Sequence, residues 1–406
     1  MRESLRILLV HDYAPLYGGT EVVNAALVHG LRQRGHSVRR FTSTAGFDTL
    51  SDGSPLLPEY ACRGTMSRWR TALQSANPWA PAALRRAIDD FMPDVVHVVS
   101  FNTQLSPLIL PVLRDVPSVY HASWYRAVCP TGLKLLPNGE PCRQRAGVVC
   151  HTAGCVPARD WLPLMTQMQL LRRWREVFRA TIANSSATAR VLAADGVVDL
   201  TVVPNGVSDA PVLAMMDDTP TAVFAGRLVR EKGVDTLLKA FARVHARMPH
   251  ATLDIVGDGV ERSPLEALTR TLQLERVVRF HGFQSRAMTE AIACRAWVQV
   301  VPSRWAEPFG LVAAEAMMRG TAVIAAASGG LTEIVRTEET GQLVPPDNVP
   351  ALSDALLRVL SDRLLALRWG QAGREVAQAE YCHELFVDRI LAVYASVLET
   401  ARVVVP

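Results

Sequence analysis

The chain has 406 residues, 49% of them hydrophobic and 20% charged, with a formal net charge of +4. This is the make-up of an ordinary globular protein long enough for two domains, and it excludes disordered and fibrous classes. No apolar run approaches the ~18 residues that span a bilayer, and the run at 7–10 stops at His11-Asp12, too short for a signal peptide, so a cytoplasmic protein is expected.

A buried strand is predicted over 6–11. Gly18-Gly19-Thr20 then opens a helical pattern over 21–34, Gly35-His36 ends it, and 37–42 is a second strand. A β–α–β unit of this kind takes a right-handed parallel crossover. The stretch 43–80, rich in Gly, Pro and Ser, reads as a long loop with one short helix at 68–76. A helix at 82–91, a strand at 94–99, a helix at 105–113 and a strand at 117–121 follow. An irregular, cysteine-bearing stretch occupies 123–157. A long helix over 161–180 then carries Arg172, Arg173, Arg175 and Arg179 near its end. A strand at 181–184, a helix at 187–194 and a strand at 201–203 lead into Pro204-Asn205-Gly206. With the polar run to Pro220, that turn is the candidate linker.

The alternation then restarts. Strands are predicted at 221–225, 252–256, 277–280, 297–301 and 322–326, with helices at 235–246, 261–271 and 286–293 between them. Three further helices cover 350–360, 363–380 and 383–399. Two α/β halves in sequence imply two doubly wound sheets facing each other across a cleft. Residues 1–205 hold 22 Lys/Arg against 15 Asp/Glu, and the remainder 21 against 24. A basic first half suits an anionic acceptor or an anionic membrane surface, which makes peripheral contact at the inner membrane face one expectation. Arginines scattered over solvated helices account for the same count. No nucleic-acid partner is expected.

The stretch from Val301 to Gly320 carries the clearest chemistry. It reads as the end of a buried strand, a loop holding Glu307, and a helix that begins near Gly310 and stops at Gly320. A helix N-terminus offers unpaired N–H groups and partial positive charge, which suits a phosphate. Glu307 before the helix and Glu315 two turns along it add carboxylates that suit hydroxyls, so a nucleotide sugar fits; solvated glutamates on an ordinary helix are the plain alternative. Arg227 and Lys232, in the turn after the strand at 221–225, are placed to hold a pyrophosphate, Arg as a planar fork and Lys as a point charge. There they would neutralise charge on a departing diphosphate; a basic surface turn is the alternative. Gly257-Asp258-Gly259 is a side-chain-poor turn that a base or ribose could approach, and Ser328-Gly329-Gly330 is a second candidate cradle. Gly18 and Gly19 allow close backbone approach to a ligand, but the dinucleotide G-x-G-x-x-G pattern is absent, which disfavours a nicotinamide cofactor. His121 ends a strand at the same carboxyl edge, where it could donate to a sugar hydroxyl or a leaving phosphate.

Together these motifs resemble the retaining glycosyltransferases of family 4, which have the GT-B fold of two Rossmann-like doubly wound domains. The resemblance runs through nearly the whole chain and includes an E-x7-E spacing between Glu307 and Glu315. It implies an acceptor-binding domain at 1–205, a donor-binding domain at 206–382, and a final helix at 383–406 that crosses back to the first domain. It also implies a nucleotide-diphosphate-sugar co-substrate and no cofactor or metal. Arg227 and Lys232 would grip the diphosphate, Glu307 the sugar hydroxyls and Glu315 the ribose, with the N–H groups of Phe309, Gly310 and Leu311 near sugar and phosphate. Gly18, Gly19, Gly257 and His121 would complete the site. The acceptor, a lipid-linked sugar or a small molecule, is not readable.

The sequence departs from the family pattern after His121, where Ala122 stands in place of an Asp found in many relatives. Cys129, Cys142, Cys150 and Cys155 then fall close together. They suit either a zinc staple or packed free thiols, although no C-x2-C pair occurs; a disulfide is not expected in a reducing compartment. Other readings weigh less. A glycosyl phosphorylase would need a pyridoxal-phosphate lysine that no context supplies. A hydrolase using Glu307 and Glu315 as its acid pair conflicts with the phosphate-binding features. A non-catalytic sugar-nucleotide-binding scaffold is the remaining alternative.

Overall fold

A computed structural model describes residues 4–15, 18–50, 54, 56–67, 70–209 and 215–403. The chain divides into two compact units, Met1–Gly206 with His383–Pro406, and Val207–Cys382. The strands of the first are β1 (Arg6–Val10), β2 (Ser37–Ser43), β3 (Tyr60–Cys62), β4 (Val95–Val98), β5 (Ser118–Ala122), β6 (Ala180–Ala183) and β7 (Leu200–Val202). They pair in the order β3-β2-β1-β4-β5-β6-β7, every pair parallel. Parallel strands need crossovers that cover both faces with helices, so their sequences read as continuous apolar runs. Ile7, Leu8, Val10, Val95, Val96 and Val98 accordingly have no measurable exposure.

Two expectations change here. The stretch 43–80 is more than a loop with one helix: it contains β3, which pairs with Phe41, Thr42 and Ser43, besides a 3-10 turn at Phe47–Thr49 and a helix at Arg70–Ser75. A three-residue edge strand has no room to show alternation. The first two residues of the predicted helix 68–76 lie outside the described residues. The segment expected as a helix at 105–113 is a 3-10 helix at Pro107–Leu113, with Pro111 inside it; a proline nitrogen cannot donate to an α-helical ladder.

The second unit holds β8 (Thr221–Ala225), β9 (Thr252–Val256), β10 (Val278–Gly282), β11 (Val298–Val301), β12 (Ala322–Ala326) and β13 (Gly341–Val344). Their order is β10-β9-β8-β11-β12-β13, again all parallel. β13 was not foreseen. It opens on Gly341, where any side chain would run into the Val323 carbonyl; a glycine-led strand of four residues carries little apolar signal. The helix Val234–Arg247 buries Leu237, Leu238, Phe241 and Val244 in one core with Ala222, Leu253, Ile255 and Val298 of the sheet. In both units the order reverses beside the first strand, between β1 and β4 and between β8 and β11. Ligands of open α/β sheets sit at the carboxyl ends of such a switch point.

The helix His383–Val403 belongs to the first unit, although 176 residues of the second precede it. It buries Phe386, Val387, Ile390 and Tyr394, and Arg34 pairs with Asp388 at 2.8 Å and with the Glu384 carbonyl at 3.0 Å. Gly30 permits the approach: a Cβ there would lie 2.7 Å from Val387 Cγ2 and 2.8 Å from His383 Nε2. Gly30→Leu is therefore expected to overpack this seam and cost about 1–3 kcal/mol. Urea unfolding should show a lowered midpoint for the first unit.

Candidate active site

At the β8/β11 switch point the loops after these two strands touch. The first loop tightens into a 3-10 turn at Arg230–Lys232 and ends on Gly233 at φ +68°. A side chain at Gly233 would strike the Pro302 carbonyl of the second loop, so this close approach requires glycine. Arg304 fastens the contact. Its Nη2 lies 2.7 Å from Asp235 and 2.9 Å from Asp347, and its Nη1 donates to the Arg230 carbonyl at 3.2 Å.

Held this way, Lys232 Nζ sits 2.6 Å from Glu307 Oε1, and Ser303 Oγ donates to the same oxygen at 2.6 Å. Glu307 is only 6% exposed. Burial pushes its carboxyl upward, but the Lys232 ammonium and the hydrogen bonds from Lys232, Ser303 and Trp305 outweigh that, and the group lies below its ordinary value. Two residues read separately, one for diphosphate and one for sugar, thus form one buried ion pair. Ser303 was missed because a serine in a loop carries no signal of its own.

The helix that follows runs from Leu311 to Arg319, with Gly310 at φ +106° and Gly320 at φ +84° as its two caps. The helix starts four residues after Glu307, so its N-terminal end follows directly on the loop that carries the Lys232–Glu307 pair. Phe309, 4% exposed, packs edge-on to Tyr381 and anchors the entry to the helix. Ser328-Gly329-Gly330, expected as a second cradle, buckles the Glu307 loop. Ser328 Oγ donates to the Trp305 carbonyl and Gly330 N to the Glu307 carbonyl, both at 2.7 Å.

Glu315 lies on this helix with a quarter-exposed side chain, 3.5 Å from Arg286. Burial lifts its carboxyl above the ordinary value; Arg286 and Arg319 oppose the shift and Glu290 adds to it. Beside it is a cavity of about 780 Å³ whose lining includes Glu315, Arg286, Glu290, Ser208, Asp209 and Asp217. Arg227 is not drawn into the Lys232–Glu307 pair: its side chain is 64% exposed and 3.9 Å from Glu231. Gly257 has a structural explanation, because a side chain there would collide with the Gly226 carbonyl. It keeps the turns after β8 and β9 in contact.

Comparison with known proteins shows what this arrangement belongs to. The model for group 1 glycosyl transferases matches residues 209–376, and that for Glycosyltransferase Family 4 matches residues 17–210. The chain is 32% identical over 348 residues to a glycogen synthase of Mycobacterium tuberculosis, covering 83% of this chain and 77% of that protein. The chain belongs to the family 4 glycosyltransferases. The lipopolysaccharide core biosynthesis glycosyltransferase LpsE of Rhizobium meliloti is 30% identical over 317 residues, 73% of this chain and 82% of LpsE. Among solved structures, the sucrose-phosphate synthase of Thermosynechococcus elongatus is similar with a TM-score of 0.76 at 25% identity, covering 98% of this chain and all of that one. The fold of this glycosyltransferase is GT-B, built from two Rossmann-like domains.

The first unit of the glycosyltransferase has its own switch-point edge. Gly18 caps the helix Gly19–Gln33, whose first residue is Gly19. His121, at the carboxyl end of β5, is 1% exposed and lies 3.3 Å from His97. Asp12 went unrecognised in the sequence, yet it organises this edge. Its carboxylate accepts from Ser100 Oγ at 2.5 Å and from the backbone of Thr103, Gln104 and Leu105 at 2.8–3.0 Å. The loop after β4 is thereby tied to β1.

Of the arginines near the end of the long helix, Arg172 and Arg175 pair with buried Asp195 at 3.4 and 3.8 Å. The helix itself ends at Trp174, earlier than expected, because Arg175–Val177 tightens into a 3-10 turn ahead of β6. Cys129, Cys142, Cys150 and Cys155 are free thiols. Burial raises Cys155, and the other three raise it further, so they lie near one another. Among the described residues, however, no group of three or more His, Cys, Asp or Glu is arranged to hold a metal ion. No described helix is long and apolar enough to cross a membrane.

Proposed function

We propose that this glycosyltransferase moves a sugar, with retention of anomeric configuration, from a nucleotide-diphosphate-sugar bound by the second unit to an acceptor hydroxyl. The observation that carries this reading is the Lys232–Glu307 pair at the switch point, beside the N-terminus of the Leu311–Arg319 helix. A pyrophosphate has cations and N–H donors to meet there, with Arg227 free to swing in from solvent. Glu307 takes the sugar hydroxyls. Glu315 accepts the ribose hydroxyls at the mouth of a cavity with ample room for a nucleoside. The first unit is assigned the acceptor, and His121 a hydrogen bond to a substrate oxygen.

In the chemical step the bond from the anomeric carbon to the diphosphate oxygen breaks, and its electron pair leaves with the diphosphate. The acceptor oxygen attacks the same face, and its proton passes to the departing phosphate oxygen, so no side-chain base is required. Lys232 and the helix N-terminus stabilise the developing negative charge, which is why we infer that no divalent metal is needed. The names of the relatives support an acceptor among envelope polysaccharides, glycolipids or secondary metabolites.

The test is to incubate the protein with UDP-, GDP-, dTDP- and ADP-sugars, with and without a chelator, and to follow release of free sugar. One nucleotide class should be hydrolysed slowly, with unchanged rate in chelator and a first-formed sugar of the donor's own anomeric form. Inversion would overturn retention, and loss of the reaction in chelator would overturn metal independence. Binding of no nucleotide sugar would overturn the donor assignment.

A further inference from the structure

Three buried side chains of the first unit form a line that the transfer chemistry above leaves unused. Tyr394, on the helix His383–Val403, lies 2.7 Å from His97 Nδ1 through its hydroxyl, and His97 Nε2 lies 3.3 Å from His121 Nδ1. Tyr394 and His97 are fully buried and His121 is 1% exposed. The far nitrogen of the last ring, His121 Nε2, is buried and has no partner among the described residues. Its residue stands next to the carboxyl end of β5, the edge at which sheets of this kind meet their ligands.

Proton counting sets the direction of this line. Burial lowers both imidazoles, His97 well below its ordinary value with His121 adding to the shift, and His121 to about 4; burial also pushes the Tyr394 phenol up. All three groups are therefore neutral near pH 7, with one N–H per ring and one O–H. If the tyrosine donates to His97 Nδ1, the His97 proton must sit on Nε2 and point at His121 Nδ1. The proton of His121 is then on Nε2. The reverse order would strand the phenol proton in the core, because no second acceptor for it is present among the described residues.

We propose that Tyr394 and His97 are positioning residues that hold His121 as its Nε2–H tautomer, so that its unpartnered N–H donates to an oxygen of a substrate bound at this edge of the first unit. This rests on the role given to His121 above. The donor is preset: it needs no protonation event and offers no lone pair where an oxygen must bind.

The experiment is long-range 1H–15N spectroscopy of the full chain with labelled histidine, without substrate, alongside steady-state transfer kinetics. His121 should show a single Nε2–H tautomer. Tyr394→Phe should give a mixture of tautomers at His121 and lower kcat about tenfold with donor KM nearly unchanged, and His97→Gln should also lose the single form. A wild-type Nδ1–H signal overturns the proposal even if neither variant folds. An unchanged tautomer in Tyr394→Phe overturns it too. A shifted tautomer with unchanged kcat overturns the link to transfer. Separately, full activity in His121→Ala would remove the role of His121 in the reaction, whatever its tautomer.

Discussion

Lys232→Met is expected to lower sugar transfer by about 10³-fold and to lower the unfolding temperature of the second unit by roughly 10 °C. The first effect follows from removing the cation proposed above to meet the leaving diphosphate; a single preorganised partner for developing negative charge is worth about 10²–10³ in rate. The second follows from geometry. Glu307 is buried and keeps Lys232 at 2.6 Å, and breaking one side of a buried pair costs about 3–5 kcal/mol because the other charge stays behind. The two effects separate in Lys232→Met/Glu307→Gln. Neutralising both partners should restore most of the thermal stability and none of the transfer, measured by scanning calorimetry and by single-turnover product formation. If the double variant regained activity, the lysine would be structural only.

Glu315→Gln is expected to move binding and stability in opposite directions. A carboxylate that accepts ribose hydroxyls contributes about 1.5–3 kcal/mol per hydrogen bond, so donor KM should rise about 10- to 100-fold. Stability should increase at neutral pH. The folded-state carboxyl lies above its ordinary value because of burial, so its contribution is fully favourable below the unfolded value and is lost as pH rises through the folded one. At pH 7–8 the wild type holds a disfavoured charge that the glutamine removes. Unfolding temperatures should therefore favour the variant at pH 8 and converge near pH 4, and a variant less stable at pH 8 would refute this assignment.

Much of the fold was legible because parallel strands buried on both faces write themselves as apolar runs. β8, β9 and β12 were read at their observed limits, and the Leu311–Arg319 helix could be read from the two glycines that cap it. What escaped was whatever depended on distant partners. β3 and β13 are short edge strands defined by β2 and β12 rather than by their own residues. The pairing of Lys232 with Glu307 spans 75 positions; it exists because β8 and β11 are neighbours, and no local pattern encodes strand order. The loop contacts of Gly257 and Ser328-Gly329-Gly330 were hidden for the same reason. A glycine needed for close approach looks alike in sequence whether a phosphate or another loop approaches. Asp12 was invisible because its four donors lie about 90 residues away.

The placement of Tyr394 bears on how the chain matures. It lies 297 positions from His97, and every residue of the second unit falls between them. A growing chain can complete the continuous second unit while the first still lacks its last helix, although N-terminal domains ordinarily fold ahead of their successors. The first unit must wait with its β4–β5 face uncovered, and contacts of such long sequence separation form slowly. Synthesis would then deliver a folded second unit before a finished first one.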